Sequence, residues 1–244
     1  MIEVQQLRKT FRGVAAVWDL SFKAPNGAIT GLLGANGAGK TTTLRMISGA
    51  LQPDCGSIRI DEELLANDTV GTQQRLGALL DHVGIYPRLT VRENLAYFGR
   101  LRGIPESRLD GRVDEVISIL GLEAAADRRT AGFSQGERMK TALGRAIIHS
   151  PGNLLLDEPT NGLDVPTVRS LRALLRRMRD CGTCIIFSSH VLEEVRALCD
   201  SVVVIAKGSV AAQGTPQELC RHTGSATLEE AFVRLTAPEE VAAC

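Results

Sequence analysis

Ile29-Thr-Gly-Leu-Leu-Gly-Ala-Asn-Gly-Ala-Gly-Lys-Thr41 is the stretch of sequence that decides the fold. Ile29–Leu33 has the length and composition of a buried strand, and Thr41–Leu51 predicts the helix that follows it. The turn between them, Gly34–Thr41, fits the pattern G-x-x-x-x-G-K-[ST] in full. A strand, a glycine-rich turn and a helix in this order predict a loop that binds phosphate groups.

The chemistry of this loop, which we call the P-loop, follows from its residue types. Its glycines let backbone N–H groups converge on phosphate oxygens, and the helix contributes the positive end of its dipole. Lys40 supplies a charge for the β- and γ-phosphates, and the Thr41 hydroxyl is suited to Mg²⁺. The sequence has no Asn-Lys-x-Asp segment for reading guanine, which argues against a GTPase. The predicted nucleotide-binding residues here are Gly34, Asn36, Gly37, Ala38, Gly39, Lys40, Thr41 and Thr42.

Further short apolar runs alternate with helical patterns, which is typical of a mainly parallel α/β sheet. Leu154–Leu156 and Cys184–Ser188 are predicted strands that end in polar residues, where open α/β sheets place their ligands. Val202–Ile205 and Val210–Gln213 flank a Lys-Gly-Ser turn and predict a hairpin. The predicted fold class is therefore α/β, with a P-loop NTPase (RecA-like) core.

Two other regions depart from this alternation. The N-terminal segments Ile2–Phe22 and Gly56–Asp61 predict an antiparallel β subdomain. Strand signals are absent between about residues 87 and 150, which predicts an inserted α-helical lobe. Its helical patterns lie at Val91–Leu101, at Ser107–Leu120 and after Ser134. We expect a single nucleotide-binding domain over residues 1–236 and a C-terminal tail over residues 237–244.

Two acidic residues and a histidine follow predicted strands. In Leu154-Leu-Leu-Asp-Glu-Pro159, a strand lying beside the P-loop strand would bring Asp157 to the magnesium ion. Glu158 could then polarise the attacking water as general base. His190 ends the next strand, where its imidazole could hydrogen-bond the γ-phosphate, although a lone histidine is more commonly an ordinary surface or core residue. The predicted catalytic residues are Glu158, His190 and Lys40, and the predicted metal ligands include Thr41 and Asp157.

The composition excludes several other classes of protein. Apolar residues make up 44% and charged residues 23% of the chain, as in ordinary soluble globular proteins. The 28 basic and 28 acidic residues cancel, so no overall field favours nucleic acid or an anionic membrane. The N-terminus lacks a signal-peptide pattern, and no apolar window is long enough to span a bilayer. Any membrane association is therefore expected to come through a partner.

The six cysteines form no disulfide framework, which is typical of a reducing cytoplasm. Cys181 and Cys184 have redox or metal-ligand spacing, but no second pair accompanies them. Cys184 also opens an apolar run, so packing in a turn and a strand is the favoured interpretation.

Taken together, these residues resemble the ATP-binding cassette (ABC) family over nearly the whole chain. The specific likeness is the segment Phe133-Ser-Gln-Gly-Glu137, a variant of the Leu-Ser-Gly-Gly-Gln signature. A serine and a glycine at a helix start are suited to phosphate. The resemblance implies that Ser134 and Gly136 act in trans. Two cassettes pair head to tail, and each ATP lies between one P-loop and the signature segment of the other cassette.

The resemblance assigns roles to other positions one at a time. Phe11 falls where these cassettes carry an aromatic residue that stacks on adenine. Asn161–Asp164 matches the D-loop, which crosses the dimer interface. His190 matches the switch histidine of the family.

The sequence departs from the family pattern in two segments. The signature segment has Phe133 and Gln135 where leucine and glycine are usual, but it keeps Ser134 and Gly136. The Q-loop glutamine is replaced by Asp81, in Arg75-Leu-Gly-Ala-Leu-Leu-Asp-His82. A carboxylate could still bind magnesium or hold its water, so Asp81 is a third predicted metal ligand, although it adds negative charge beside the γ-phosphate.

Within the family, Gly84–Asn94 and the ending Thr227–Thr236 resemble exporter cassettes of the type-2 group, and Asp81 is most similar to the sodium-extrusion (Nat) branch. The resemblance implies ATP and Mg²⁺, a homodimer or a pair with a similar cassette, separate transmembrane permease subunits and no nucleic acid. It also implies a peripheral position at the cytoplasmic face of the cell membrane. Tyr86 and Leu89 are candidate contacts for the permease subunits, with the core of the helical lobe as the alternative location.

Two other functions stay open at this point. A soluble cassette ATPase acting on DNA or the ribosome would carry long coiled coils or a second cassette, and the sequence has neither. The arginines of Leu171–Arg179 could contact nucleic acid, but the spacing of the leucines favours one solvated helix face. A regulatory ATP sensor without turnover is the third hypothesis. Glu158 argues against it, and Asp81 leaves it open.

Overall fold

The structure, a computed structural model, describes residues 1–65, 69–80 and 84–237, and within them it has ten strands and nine α-helices. The strands are β1 (Ile2–Phe11), β2 (Val14–Ala24), β3 (Ile29–Leu33), β4 (Cys55–Ile60), β5 (Glu63–Leu64), β6 (Leu76–Leu79), β7 (Asn153–Asp157), β8 (Cys184–Ser189), β9 (Ser201–Ala206) and β10 (Ser209–Gly214). The helices are α1 (Lys40–Ile47), α2 (Thr69–Gln74), α3 (Val91–Leu101), α4 (Glu106–Leu120), α5 (Gln135–Ile147), α6 (Val165–Asp180), α7 (Leu192–Leu198), α8 (Pro216–Thr223) and α9 (Leu228–Thr236). Asp81 and residues 238–244 lie outside the described residues.

The strands form two sheets. A four-stranded antiparallel sheet has the order β2-β1-β4-β5, and it is the predicted N-terminal β subdomain. A six-stranded sheet has the order β10-β9-β3-β8-β7-β6. Its strands run parallel except β10, which pairs antiparallel with β9 as the predicted hairpin. The predicted α/β fold class is confirmed.

The predicted position of β7 is wrong in one respect. We expected the strand carrying Asp157 to lie directly beside the P-loop strand, but β8 lies between β3 and β7. Both β7 and β8 are short apolar runs, so composition does not say which of them pairs with β3. Asp157 nevertheless reaches the P-loop helix, as described below.

The first helix is shorter than predicted. The sequence predicts a helix over Thr41–Leu51, and α1 covers Lys40–Ile47. Gly49 has a φ of 75°, in the left-handed region where glycine commonly ends a helix. The chain turns there towards β4 and completes the antiparallel sheet.

Three helices, α3, α4 and α5, lie between β6 and β7 in the sequence and pack against one another. The starts of α3 and α5 carry capping boxes, in which a hydroxyl accepts from the third residue of the helix and that residue's glutamate accepts in return. A Cβ on Gly144 of α5 would lie 2.8 Å from Leu95 Cδ2 and 3.0 Å from Leu120 Cδ1. The glycine therefore lets α5 approach both neighbours closely.

The arginine-rich helix α6 buries Leu171, Leu174 and Leu175 against the sheet and turns its arginines outward. Arg179 forms ion pairs with Asp180 and Asp200. This arrangement is the solvated helix face that the leucine spacing favours.

The six-stranded sheet separates two apolar cores. Alternate residues of one strand face opposite sides, so Leu154 and Leu156 of β7 join the core under the helical lobe, whereas Leu155 joins the core under the antiparallel sheet. Ile185 and Ile186 of β8 divide in the same way. Each central strand therefore contributes to both cores.

Among the described residues, none of the helices is both long and apolar enough to cross a lipid bilayer. The cysteines in this part of the chain are free, with Cys181 exposed and Cys184 buried. Burial raises the pKa of Cys184 to about 11, so its thiol stays protonated at neutral pH and serves as an apolar packing group.

Candidate nucleotide site

The P-loop is held in place by two strands that its glycines allow to come close. A Cβ on Gly34 would lie 2.6 Å from the carbonyl oxygen of Ile205 in β9. Gly39 has a φ of 107°, and a Cβ there would lie 2.6 Å from the Ala16 oxygen in β2. Side chains at these two positions would push the loop away from β9 and β2. The glycines therefore let the loop backbone pack directly against β9 and β2.

Lys40 lies inside the loop, with only 5% of its surface exposed. Its Nζ donates to the carbonyl oxygens of Gly34 at 2.8 Å and Ala35 at 3.3 Å. The same nitrogen lies 3.6 Å from Glu158 Oε1. The ammonium is thus held at the start of α1, where the helix dipole also favours an anion.

Thr41 and Asp157 meet at the end of the sheet. Thr41 Oγ1 donates to Asp157 Oδ2 at 2.6 Å. The two side chains meet although β8 lies between β7, which carries Asp157, and β3, which precedes the P-loop. Ser188, on that intervening strand, donates its hydroxyl to Asp157 Oδ1 and accepts from the Glu158 N–H at 3.0 Å. Ser188 therefore bonds both acidic residues from β8, the strand that the prediction did not place between β3 and β7.

Glu158 and His190 are also brought together. Glu158 Oε2 lies 3.0 Å from His190 Nδ1, and its backbone φ of 45° is in the left-handed region that non-glycine residues rarely adopt. Such backbone strain persists only where the surrounding contacts hold it. Here it turns the carboxylate from the line of β7 towards Lys40 and His190.

Sequence reasoning missed a third acidic residue at this edge of the sheet. Glu194 Oε2, in α7, accepts from the hydroxyls of Thr160 at 2.6 Å and Ser189 at 2.9 Å. One carboxylate thus holds the segment after Glu158 to the residue before His190. The signal available in the sequence was its position, one helical turn beyond His190.

The signature segment forms the other part of the predicted site. Ser134 caps α5 and is exposed, and Glu137 Oε2 accepts from both the Ser134 N–H at 2.9 Å and its hydroxyl at 3.1 Å. These hydrogen bonds lower the pKa of Glu137, whose charge Arg128 also pairs at 3.1 Å. Among the described residues, neither Ser134 nor Gly136 hydrogen-bonds the P-loop. The start of α5 therefore stands apart from the start of α1.

The remaining predicted residues lie around the P-loop. Asn36 and Gly37 are exposed, Ala38 is buried and Thr42 is half-buried. Phe11, at the end of β1, is 46% exposed, and Lys9 Nζ lies 5.8 Å from its ring centre. An exposed aromatic ring at a strand end is available for stacking on a base.

The fold and this constellation define a class of nucleotide-hydrolysing subunit, and comparison with known proteins identifies it. The sequence profile of the ABC transporter family matches residues 17–161, more than half of the chain. The chain belongs to this family and is an ATP-binding and ATP-hydrolysing cassette subunit.

Individual relatives place it more closely. It is 40% identical over 221 residues to the ABC transporter ATP-binding protein NatA of Bacillus subtilis, covering 90% of each chain, which confirms the resemblance to the Nat branch. It is 33% identical to the linearmycin resistance ATP-binding protein LnrL of the same organism, over 93% of this chain and 73% of that one. A solved ATP-binding subunit of an ABC transporter superposes with a TM-score of 0.89 at 29% identity, covering 96% of this chain and 99% of the other.

Proposed function

We propose that two copies of this chain, or this chain and a similar cassette, pair head to tail around two ATP molecules and drive export through separate transmembrane subunits. The observation that carries the proposal is the pair of phosphate-binding helix starts in one chain. The start of α1 has Lys40, Asp157 and Glu158 around it, whereas the start of α5 presents an exposed Ser134. A second copy would bring Ser134 and Gly136 to the phosphates that the first P-loop binds.

The residues at the P-loop fit Mg²⁺ as the accompanying ion. Thr41 Oγ1 and Asp157 Oδ2 lie 2.6 Å apart, so one small cation with oxygen preference would meet both. When bound, magnesium supplies charge neutralisation to the β- and γ-phosphates. We propose Thr41 and Asp157 as its holders. Asp81 stays a proposed third ligand, since it lies outside the described residues.

The chain's own groups then divide the hydrolysis between them. Lys40 binds and orients the phosphates, and Glu158 accepts the proton of the attacking water. His190 contacts Glu158 through Nδ1, which leaves Nε2 to face the γ-phosphate. Phe11 stacks on the adenine ring. Residues 1–236 form one nucleotide-binding domain in this proposal, with the helical lobe as the part that meets the membrane subunits.

An exposed aromatic cluster on the lobe supports that docking role. Tyr86 is 44% and Tyr97 40% exposed, and their ring centres lie 5.3 Å apart in an edge-to-face arrangement. Arg145 stacks over the Phe98 ring at 3.6 Å. Leu89 is half-buried beside them. Aromatic and arginine side chains of this kind are enriched at interfaces, which supports contact with the membrane subunits. The proposal includes a peripheral position at the cytoplasmic face of the membrane.

The dimer is tested by Glu158→Gln. The substitution preserves the shape of the side chain but removes the base, so ATP stays bound and the dimer accumulates. Size-exclusion chromatography with ATP and magnesium should show a dimer, and chromatography without ATP a monomer. A variant that stays monomeric with ATP would contradict head-to-tail pairing.

The membrane partner is tested by purification from gently solubilised membranes. The tagged chain should bring down a polytopic protein, and Tyr86→Glu should abolish this while ATP binding persists. Val233→Glu is a matched control, since Val233 is a 58% exposed apolar residue on α9. Loss of the partner with both variants, or recovery of none with the unaltered chain, would overturn the transporter role.

A further inference from the structure

Gln135 connects two segments that serve different parts of the nucleotide site. It is the first residue of α5, at the signature position where glycine is usual. Its side-chain Nε2 donates to the backbone oxygen of Asn161 at 2.8 Å. The signature segment and the D-loop are thereby joined within one chain.

The contact is fitted to its surroundings. Gly162, the next residue of the D-loop, has a φ of 71°, and a Cβ there would lie 2.3 Å from Gln135 Nε2 and 2.7 Å from Oε1. The amide therefore lies flat against this glycine, at a distance that a side chain on residue 162 would forbid. A glycine at position 135 could make neither contact.

The connection continues to the general base. The Asn161 N–H donates to the Glu158 carbonyl oxygen at 3.1 Å, so both backbone polar groups of Asn161 are engaged, one towards Gln135 and one towards Glu158. Glu158 in turn contacts His190 at 3.0 Å. A run of contacts thus leads from the residue next to Ser134 to the carboxylate of the hydrolytic site.

We propose that Gln135 is a positioning residue that couples the signature segment to Glu158 of the same chain. The proposal rests on the head-to-tail dimer of the proposed function. In that dimer the signature segment binds the partner's ATP, whereas Glu158 acts on the ATP of its own P-loop. Gln135 therefore links the occupancy of one ATP site to hydrolysis at the other.

The first test is Gln135→Met, which keeps the length of the side chain but removes the donor. The maximal ATPase rate kcat should fall about threefold to tenfold, the effect expected for loss of one neutral hydrogen bond. KM should change little, since the Gln135 amide contacts the D-loop and is not proposed to contact ATP. The Hill coefficient for ATP should fall towards one, because the two sites no longer communicate.

The matched control is Gln213→Met. Gln213 also donates its Nε2 to a backbone oxygen, that of Lys23 at 3.0 Å, on the exposed strand β10. The control removes an equivalent hydrogen bond outside the nucleotide site. Its kcat, KM and Hill coefficient should equal those of the unaltered chain, and thermal melting should show both variants folded.

A double-mutant cycle tests the contact itself. Gly162→Ala would displace the Gln135 amide and also strain the D-loop backbone, and the strain is the same whatever residue 135 is. Its effect on kcat should therefore be smaller in the Gln135→Ala background than in the unaltered chain. Equal effects in the two backgrounds would show that the contact does not transmit the change.

The outcomes separate this inference from the proposed function. Unchanged kcat and Hill coefficient in Gln135→Met, with an active unaltered chain, would overturn the coupling role alone. A loss of kcat/KM that comes entirely from a higher KM would also overturn the coupling role alone. So would a loss of activity that Gln213→Met shares. An unaltered chain without ATP-dependent pairing would overturn the dimer and this inference together.

Discussion

The charge of Glu137 lies where the partner's γ-phosphate is proposed to bind. Its carboxylate accepts from the Ser134 N–H and hydroxyl, which are the donors that the signature segment offers. Those hydrogen bonds lower its pKa, so it stays ionised at neutral pH. An anionic ligand must therefore share or displace an anion already present. The family signature has an uncharged glutamine at this position.

Glu137→Gln should tighten ATP binding in trans. Glutamine can keep the capping box, and the lost charge should lower KM about twofold to fivefold, as expected for one charge at a helix start. Steady-state ATPase assays measure the effect.

Glu218→Gln is the matched control, since Glu218 makes the same capping box with Thr215 on α8, far along the chain from the signature. Both substitutions should cost a similar stability of up to about 1 kcal/mol, measured by urea unfolding. Only Glu137→Gln should change KM, and an unchanged or higher KM would contradict the charge argument.

At this scale the sequence predicts which residues gather beside the P-loop, but not the hydrogen bonds between them. Lys40 was predicted from the P-loop pattern, Asp157 and Glu158 from their place at a strand end, and His190 from its strand end together with the family resemblance. Ser188 and Glu194 were not, because a serine in a strand and a glutamate on a helix are common in many other contexts. Their roles depend on which neighbours the fold brings within 3 Å, and only the structure gives that.

Two glycines in different elements have opposite roles. Gly77 in β6 packs under the end of α5, and a Cβ there would lie 2.3 Å from the Ala146 carbonyl oxygen. Gly111 is exposed in the middle of α4, and a Cβ there would meet nothing within 4 Å. The first glycine is required by close packing of strand and helix, and the second is only a weak helix former.

Gly77→Ala should therefore destabilise the protein by about 1–3 kcal/mol, because backbone must move to relieve the contact. Gly111→Ala should stabilise it by about 0.5–1 kcal/mol through helix propensity. Urea unfolding of the two variants measures both values. A loss of stability in Gly111→Ala, or none in Gly77→Ala, would contradict this assignment.

Elements were predicted best where their ends carry a local signal. The α3 range was predicted without error because Thr90 and Glu93 form a capping box just before an amphipathic pattern. The end of α1 was overestimated, although Gly49 was available as a stop signal, because apolar residues continue beyond it. Patterns of hydrophobicity do not stop where helical hydrogen bonding does.

His149 makes the stability of the whole molecule depend on pH. Burial, with the nearby Arg102 cation, lowers the pKa of this histidine from 6.5 to about 4, while Nε2 lies 3.2 Å from the Leu76 oxygen. Below pH 6.5 the unfolded chain binds a proton that the folded chain resists until about pH 4. The contribution is therefore complete above pH 6.5 and is lost as the pH falls from 6.5 towards 4.

The urea midpoint of the unaltered chain should accordingly decrease between pH 7.5 and pH 5.5, a range in which carboxylates remain ionised in both states. His149→Gln should reduce this decrease. His222→Gln, at an exposed position, should keep it. Identical pH dependence in the unaltered chain and His149→Gln would show that this residue is not responsible.

At the scale of the whole molecule, the sequence predicted an α/β core, an antiparallel subdomain and a helical lobe, but not the strand order. Each central strand is a short apolar run with a polar end, so β7 and β8 were interchangeable as neighbours of β3. The order depends on long-range pairing, which no local pattern reports. The error in strand order did not affect the predicted grouping of the acidic residues with the P-loop. Ser188 on the intervening strand bonds both of them.

The alternation of the central strands between two cores has a consequence for cooperativity. Leu154 and Leu155 are adjacent in the chain, yet they support opposite layers of the molecule. Melting of the helical lobe would expose one face of β7 and β8 and so weaken the layer behind them. Neither layer is then an independent folding unit, although the lobe is an insertion. Calorimetric and van't Hoff enthalpies of unfolding should therefore agree, as for a single two-state transition.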